Sequence, residues 1–118
     1  MSGLCAVAAA GLLLLTPSDH FTLAWTHSVE KVEWREDWQA VSGRLILRQA
    51  SVLGSAAGME PPPQAVLRDG RWVWNPGIVM EEIVLARSDF TADWRLCVAG
   101  RCRDLDKEKG QTRLRACP

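Results

Sequence analysis

From Phe21 onward the chain alternates: Phe21, Leu23, Trp25, His27 and Val29 take one phase, and Thr22, Ala24, Thr26, Ser28 and Glu30 take the other. This is the two-residue period of a half-buried β-strand, and it carries His27 in phase with the apolar side chains. An imidazole turned into a core must hydrogen-bond at both ring nitrogens. A reversal between Glu30 and Glu33 would bring Trp34 to Trp38 back beside this strand and offer Glu30, Glu33 and Glu36 as partners. Further along, Arg44 to Val52 alternates after a break at Gly43. Asp69-Gly70 is a hairpin signal joining Val66-Leu67 to Arg71 to Trp74. Residues Gly54 to Pro63 combine small residues with a proline run that cannot enter a ladder, which makes them a surface connection. Ile78 to Ala86 reads as one strand, although Met80-Glu81-Glu82 in its middle also suits a helix. Thr112 to Ala116 supplies a last short strand.

The apolar run from Gly3 to Leu15 is too short for a spanning helix, which needs about 20 apolar residues. It has no Lys or Arg before Lys31 to make the charged start of an export signal. It reads instead as a hairpin, with Leu4 to Ala8 as one strand, a turn at Ala10-Gly11, and Leu12 to Leu15 returning to the Pro17-Ser18-Asp19 turn. A residual export segment over residues 1–19 is the alternative. The sum is eight to ten short strands without a convincing helix. The expected fold is a single all-β domain over residues 1–118, an antiparallel sandwich or small barrel.

Keeping the hairpin keeps Cys5, and the cysteines then number four, Cys5, Cys97, Cys102 and Cys117. Cys97 and Cys102 flank Val98-Ala99-Gly100-Arg101, a tight reversal across which a disulfide can form, and Cys5 with Cys117 would tie the two ends together. That arrangement suits the periplasm or cell envelope, whereas four reduced, buried cysteines in a cytoplasmic protein is the competing reading. The spacing is loose for a zinc knuckle and neither histidine sits beside it, so no metal and no cofactor is expected.

Six tryptophans with no tyrosine fill a small β-domain, most as core or cross-strand pairs. Trp72 and Trp74, sharing a face around Val73, are the best candidates for lining a pocket. Lysine plus arginine equals aspartate plus glutamate at 14 each. Nothing at this level suggests a phosphate-backbone footprint, and nucleic acid is not an expected partner. The locally basic tail from Arg101 to Arg115 reads as a solvated rim.

The densest polar chemistry runs through His27-Ser28-Val29-Glu30-Lys31 and on through Glu33 to Trp38. As a catalytic set, Ser28 would be the nucleophile, His27 its base and Glu30 or Glu33 the orienting acid. Adjacent strand residues point to opposite faces, which argues against it. As a binding set, Lys31 and Arg35 supply cations, and backbone N–H groups of Gly54 to Gly58 can form a nest for an anion. Glu30, Glu33, Glu36 and Asp37 holding a cation is a weaker reading, because mixed charges on a hairpin are usually solvated. As an architectural set, His27, Ser28 and a glutamate fix strand register beneath a docking surface.

The order of these features, with Gly58-Met59 running into prolines, resembles the bacterial family called domain of unknown function 1850. The resemblance extends to Phe21-Thr22-Leu23, Asp69-Gly70-Arg71-Trp72 and the Cys97 to Cys102 reversal. Family members often read Gly-Ala-Gly before the methionine, where this chain has Ala56-Ala57-Gly58. The resemblance implies a bacterial origin and a frequent genetic neighbourhood with transporters of the TRAP type; it implies no activity. The expectation is a non-catalytic accessory or solute-binding module for a small anion, partnered with a membrane transporter component. His27, Ser28, Glu30, Lys31, Glu33 and Gly58 are its candidate ligand-binding residues. A structural protein–protein interaction domain is the alternative, and a small hydrolase using Ser28 and His27 is the minor one.

Overall fold

The computed structural model describes residues 3–26, 32–53, 61–86, 94–105 and 111–118. Every element among them is a strand. There are twelve: β1 (Leu4–Ala8), β2 (Gly11–Thr16), β3 (His20–Thr26), β4 (Glu33–Val41), β5 (Arg44–Leu53), β6 (Val66–Arg68), β7 (Arg71–Trp74), β8 (Ile78–Met80), β9 (Ile83–Ala86), β10 (Arg95–Val98), β11 (Arg101–Asp104) and β12 (Gln111–Ala116). They form two antiparallel sheets that share no ladder, a sandwich and not a closed barrel. The smaller sheet has the order β2-β1-β12-β9, and the larger runs β11-β10-β3-β4-β5-β7-β6 with β8 also pairing β5.

The strand phases follow the alternation. Phe21 and Leu23 of β3, Trp38 of β4, Leu45 and Leu47 of β5 and Leu96 of β10 turn inward. There they meet Leu4, Ile83, Leu85, Leu114 and Ala116 of the smaller sheet. Leu4, Leu23, Leu45 and Leu114 are fully buried, each contributing about 1.5–3 kcal/mol relative to exposure. Three tight reversals join paired strands: Ser42-Gly43, Asp69-Gly70 and Ala99-Gly100 all hold positive φ at both positions. That is the conformation whose twist matches two-residue hairpins.

The expected single strand from Ile78 to Ala86 is two. β8 pairs with β5 in the larger sheet, while β9 pairs with β12 in the smaller one, and the chain changes sheets at Glu81-Glu82. The helical alternative for this segment is absent. The count of twelve exceeds eight to ten in part for this reason.

The amino-terminal hairpin forms, with Leu4 fully buried; its turn is at Ala9-Ala10, one residue before the expected Ala10-Gly11, and Gly11 already pairs with Ala8. Both disulfides are present: Cys5–Cys117 joins β1 to the residue after β12, and Cys97–Cys102 bridges directly opposed positions of β10 and β11. They are compatible with an oxidising, extracytoplasmic location. Among the described residues no helix is long and apolar enough to cross a membrane.

Candidate functional site

At the end of the larger sheet where β3 stops and β4 starts, Thr26 lies opposite Glu33, and Arg71 lies opposite Leu53. Glu33 projects from the face turned away from the smaller sheet and gathers three arginines. Arg71 Nη1 donates to its Oε1 at 3.2 Å, Arg95 Nη2 donates to its Oε2 at 3.0 Å, and Arg35 Nε lies 3.4 Å from Oε1. Arg71 is fixed further by Nε donating to Ser51 Oγ and Nη2 donating to the Glu33 carbonyl. Arg95 Nη1 reaches the Thr26 hydroxyl.

Strand phase explains the convergence. Glu33 and Arg35 share a face of β4 with Ser51 of β5, while β7 and β10 each lie two strands from β4 on opposite sides. Only a side chain as long as arginine spans an intervening strand. Among the described residues three guanidiniums meet the one Glu33 carboxylate, and the Asp37 carboxylate on the same face also acts on Arg71. Burial holds the Arg71 guanidinium below the usual arginine value; Glu33 opposes that shift and the neighbouring Arg35 charge adds to it. The Arg71 side chain is only 18% exposed against 46% for Arg35, so the cluster has a fixed inner cation and a solvated outer one.

The same face continues along the sheet as a polar stripe. Asp37 accepts from the Thr22 hydroxyl at 2.6 Å and from Gln49 Nε2 at 3.3 Å. An extra residue in β5 shifts the register opposite Asp37 and Trp38. Near it Arg48 Nε donates to Gln39 Oε1. His20, Thr22, Asp37, Arg48 and Cys97 then line a hollow of about 260 Å³.

Glu36 goes the other way. One residue out of phase with Glu33, it shares the inward face with Trp34 and Trp38, whose indole N–H groups donate to its Oε2 at 3.0 Å and its Oε1 at 3.1 Å. Burial raises its pKa and the two indole donors hold it back in part. Trp34 also packs edge-on against Trp74, beside Trp72 and the buried Val52. Trp72 and Trp74 thus share a face as expected, within a packed aromatic cluster.

Of the sequence-predicted ligand-binding residues, Glu33 is placed at the centre of this arginine cluster. His27, Ser28, Glu30, Lys31 and Gly58 lie outside the described residues, and so do the catalytic pairing of Ser28 with His27 and the nest over Gly54 to Gly58. Glu36 is on the opposite face from Glu33 and Asp37, which separates the acidic side chains offered as one cation site. Among the described residues no three His, Cys, Asp or Glu side chains gather as a metal site. Sequence reasoning missed Arg71 and Arg95 as partners of Glu33. It also missed the Trp34-Glu36-Trp38 set, although two-residue spacing on a strand was signal enough for that one.

No curated protein and no solved structure matches the chain. A family model described as a domain of unknown function (DUF1850) matches residues 21–105, from the second residue of β3 to the residue after β11. That span contains the larger sheet apart from His20 and every residue of the Glu33 cluster, whereas β1, β2 and β12 lie outside it. With well over half of its length matched, the chain belongs to the DUF1850 family.

Proposed function

We propose that this chain is a non-catalytic, extracytoplasmic binding module whose ligand is a small anion, held at the arginine-lined end of the larger sheet. The observation that carries the proposal is the unequal charge at Glu33, where one carboxylate faces the guanidiniums of Arg35, Arg71 and Arg95. Guanidinium forks pair with carboxylates and phosphates in planar, two-pronged geometry, and partial desolvation strengthens such bonds. Lys31 stands two residues before Glu33 in the chain, and Gly54 directly follows Leu53, so the cations and amides expected to meet an anion adjoin the cluster in sequence. The disulfides support placement outside the cytoplasm, and work alongside a TRAP-type transporter component extends the same reading.

The deciding experiment is a thermal-shift screen of mono-, di- and tricarboxylates, sulfate and phosphate on wild type, Lys31→Ala, Arg35→Ala and Glu33→Gln. Binding at the cluster requires an acid that raises the melting temperature, a smaller rise in Lys31→Ala and Arg35→Ala, and a larger one in Glu33→Gln, which loses the competing internal carboxylate. Uniform indifference of all four proteins to every anion sinks the proposal.

A second reading is favoured by the reach of the same contacts. Glu33 ties together strands on both sides of β4, and a clamp of that width also serves a protein-docking domain as pure architecture. Under that reading Glu33→Gln lowers stability and gains no anion response.

A further inference from the structure

Along its length β5 changes partners: Leu45 to Leu47 pair with β8, Ala50 to Leu53 pair with β7, and the two residues between them pair with neither. The extra residue of the β4–β5 ladder falls in this gap. Leu47 lies opposite Trp38 and Gln49 opposite Asp37, which leaves Arg48 over. A bulge of this kind re-aims the side chain it carries. The backbone around it is tied down, since Asn75 Nδ2 donates to the Arg48 carbonyl and the Gly77 N–H to the Leu47 carbonyl, both at 3.0 Å. The exposed Arg48 side chain is oriented by Nε, which donates to Gln39 Oε1 at 2.8 Å. Its Nη1–Nη2 edge stays open, with no carboxylate of the described residues in ion-pair range.

Asp37 lines the same hollow of about 260 Å³. Its two oxygens are fixed separately, Oδ1 by the Thr22 hydroxyl and Oδ2 by Gln49 Nε2. Both donors are neutral. Among the described residues no cation touches this carboxylate, and Arg71 acts on it only at longer range. Arg35, two residues along β4, is engaged by Glu33. An oriented carboxylate and an open guanidinium fork therefore share one hollow without pairing with each other.

The geometry points to this hollow as a binding site for an α-amino acid, whose carboxylate takes the Arg48 fork and whose ammonium group takes Asp37. A guanidinium edge matches a carboxylate in two-pronged geometry. Each Asp37 oxygen keeps acceptor capacity beyond the one bond it already makes. The pair also selects by repulsion: a plain anion meets Asp37 and a plain amine meets Arg48, so a ligand carrying both charges is favoured over either. The volume lies below the roughly 300–1,000 Å³ of pockets for drug-sized ligands, which suits a molecule of amino-acid size. The site uses none of the residues of the Glu33 cluster and stands apart from the anion reading.

Titration calorimetry on the full chain tests the inference, first with the common L-amino acids and then with matched sets. Alanine is compared with propionate and ethylamine, and valine with 3-methylbutanoate and isobutylamine, each lacking one of the two charges. At least one amino acid should bind, with its single-charge counterparts weaker by about tenfold or more. Asp37→Asn and Arg48→Gln should each weaken it by a similar factor, with circular dichroism as the check on folding. Should Asp37→Asn fail to fold, the exposed Arg48→Gln decides alone. In labelled wild type the amide resonances of Thr22, Asp37, Arg48 and Cys97 should move on binding. The inference is overturned if no amino acid binds, if the deaminated acid binds as tightly as its amino acid, or if Arg48→Gln leaves the affinity unchanged. Resonance shifts confined to Arg71 and Arg95 overturn it too, and assign the binding to the Glu33 cluster instead.

Discussion

Arg71 of β7 and Arg95 of β10 are separated by three intervening strands, β5, β4 and β3, yet they hold the two oxygens of one carboxylate, Oε1 and Oε2 of Glu33. Breaking such a clamp costs more than its pairwise contacts suggest, because the partners left behind are partly desolvated. Glu33→Ala should lower unfolding stability by about 1.5–3 kcal/mol. Arg35→Ala, removing the most exposed cation of the set, should cost less than about 1 kcal/mol. Urea denaturation of both variants gives the comparison, and equal losses would show that Glu33 is held no more tightly than any surface ion pair.

Glu36 sets a pH dependence whose sign is opposite to that of an ion-paired carboxylate. Its pKa is raised in the folded state, chiefly by burial, so folding favours its protonated form. The corresponding stability is fully present below the ordinary glutamate value and is lost as pH rises through the raised folded value. Glu82, held down by the Arg113 guanidinium, works the other way: its contribution is present above the ordinary value and lost on acidification. Subtraction separates the two. Wild type minus Glu36→Gln, measured as urea midpoints from pH 4 to pH 8, should decline with rising pH and level off once Glu36 is ionised. A flat difference would mean that the indole donors fully offset burial.

What the sequence revealed and what it concealed divides along contact range. The phase of β3, the Asp69-Gly70 hairpin and the Cys97 to Cys102 reversal are local, and alternation or turn chemistry announces each of them. The break between β8 and β9 is written only as Glu81-Glu82, and nothing local says that the two halves join different sheets. The Glu33 cluster is concealed for the same reason. Arg71 and Arg95 lie 38 and 62 residues away in the chain, and only the strand order places them on either side of β4. Glu36 differs, since its inward phase between Trp34 and Trp38 is readable from spacing; what spacing leaves open is that both indoles would donate to it.

The two disulfides should differ in what they contribute. Cys5–Cys117 spans 112 residues of sequence separation and Cys97–Cys102 spans 5. On the loop-entropy model the long closure stabilises by roughly 4–5 kcal/mol and the short one by roughly 2 kcal/mol. The double variant Cys5→Ala/Cys117→Ala should therefore unfold at distinctly lower urea than Cys97→Ala/Cys102→Ala. Intact mass with and without reductant supplies the accompanying count, a gain of two hydrogens for each bridge. The reverse order of stability would place the advantage of the short bridge in the folded hairpin and not in the unfolded chain.

Gly3 tests how firmly the amino-terminal hairpin is built into the sandwich. Its φ is +74°, and a Cβ added there would lie 2.5 Å from the Thr16 carbonyl oxygen, which belongs to backbone and cannot swing aside. The residue is also held in place on both sides: its N–H donates to Asp19 Oδ1 at 2.9 Å, and its carbonyl accepts from the Cys117 N–H at 3.1 Å. Gly3→Ala should cost about 1–3 kcal/mol from backbone strain, with the relief of that strain pulling β1 away from β12. Hydrogen exchange localises the damage: amides of β1 and β12 should lose protection while those of β4 and β5 keep theirs. Unchanged protection throughout would show that the first residues adjust independently of the sheet they join.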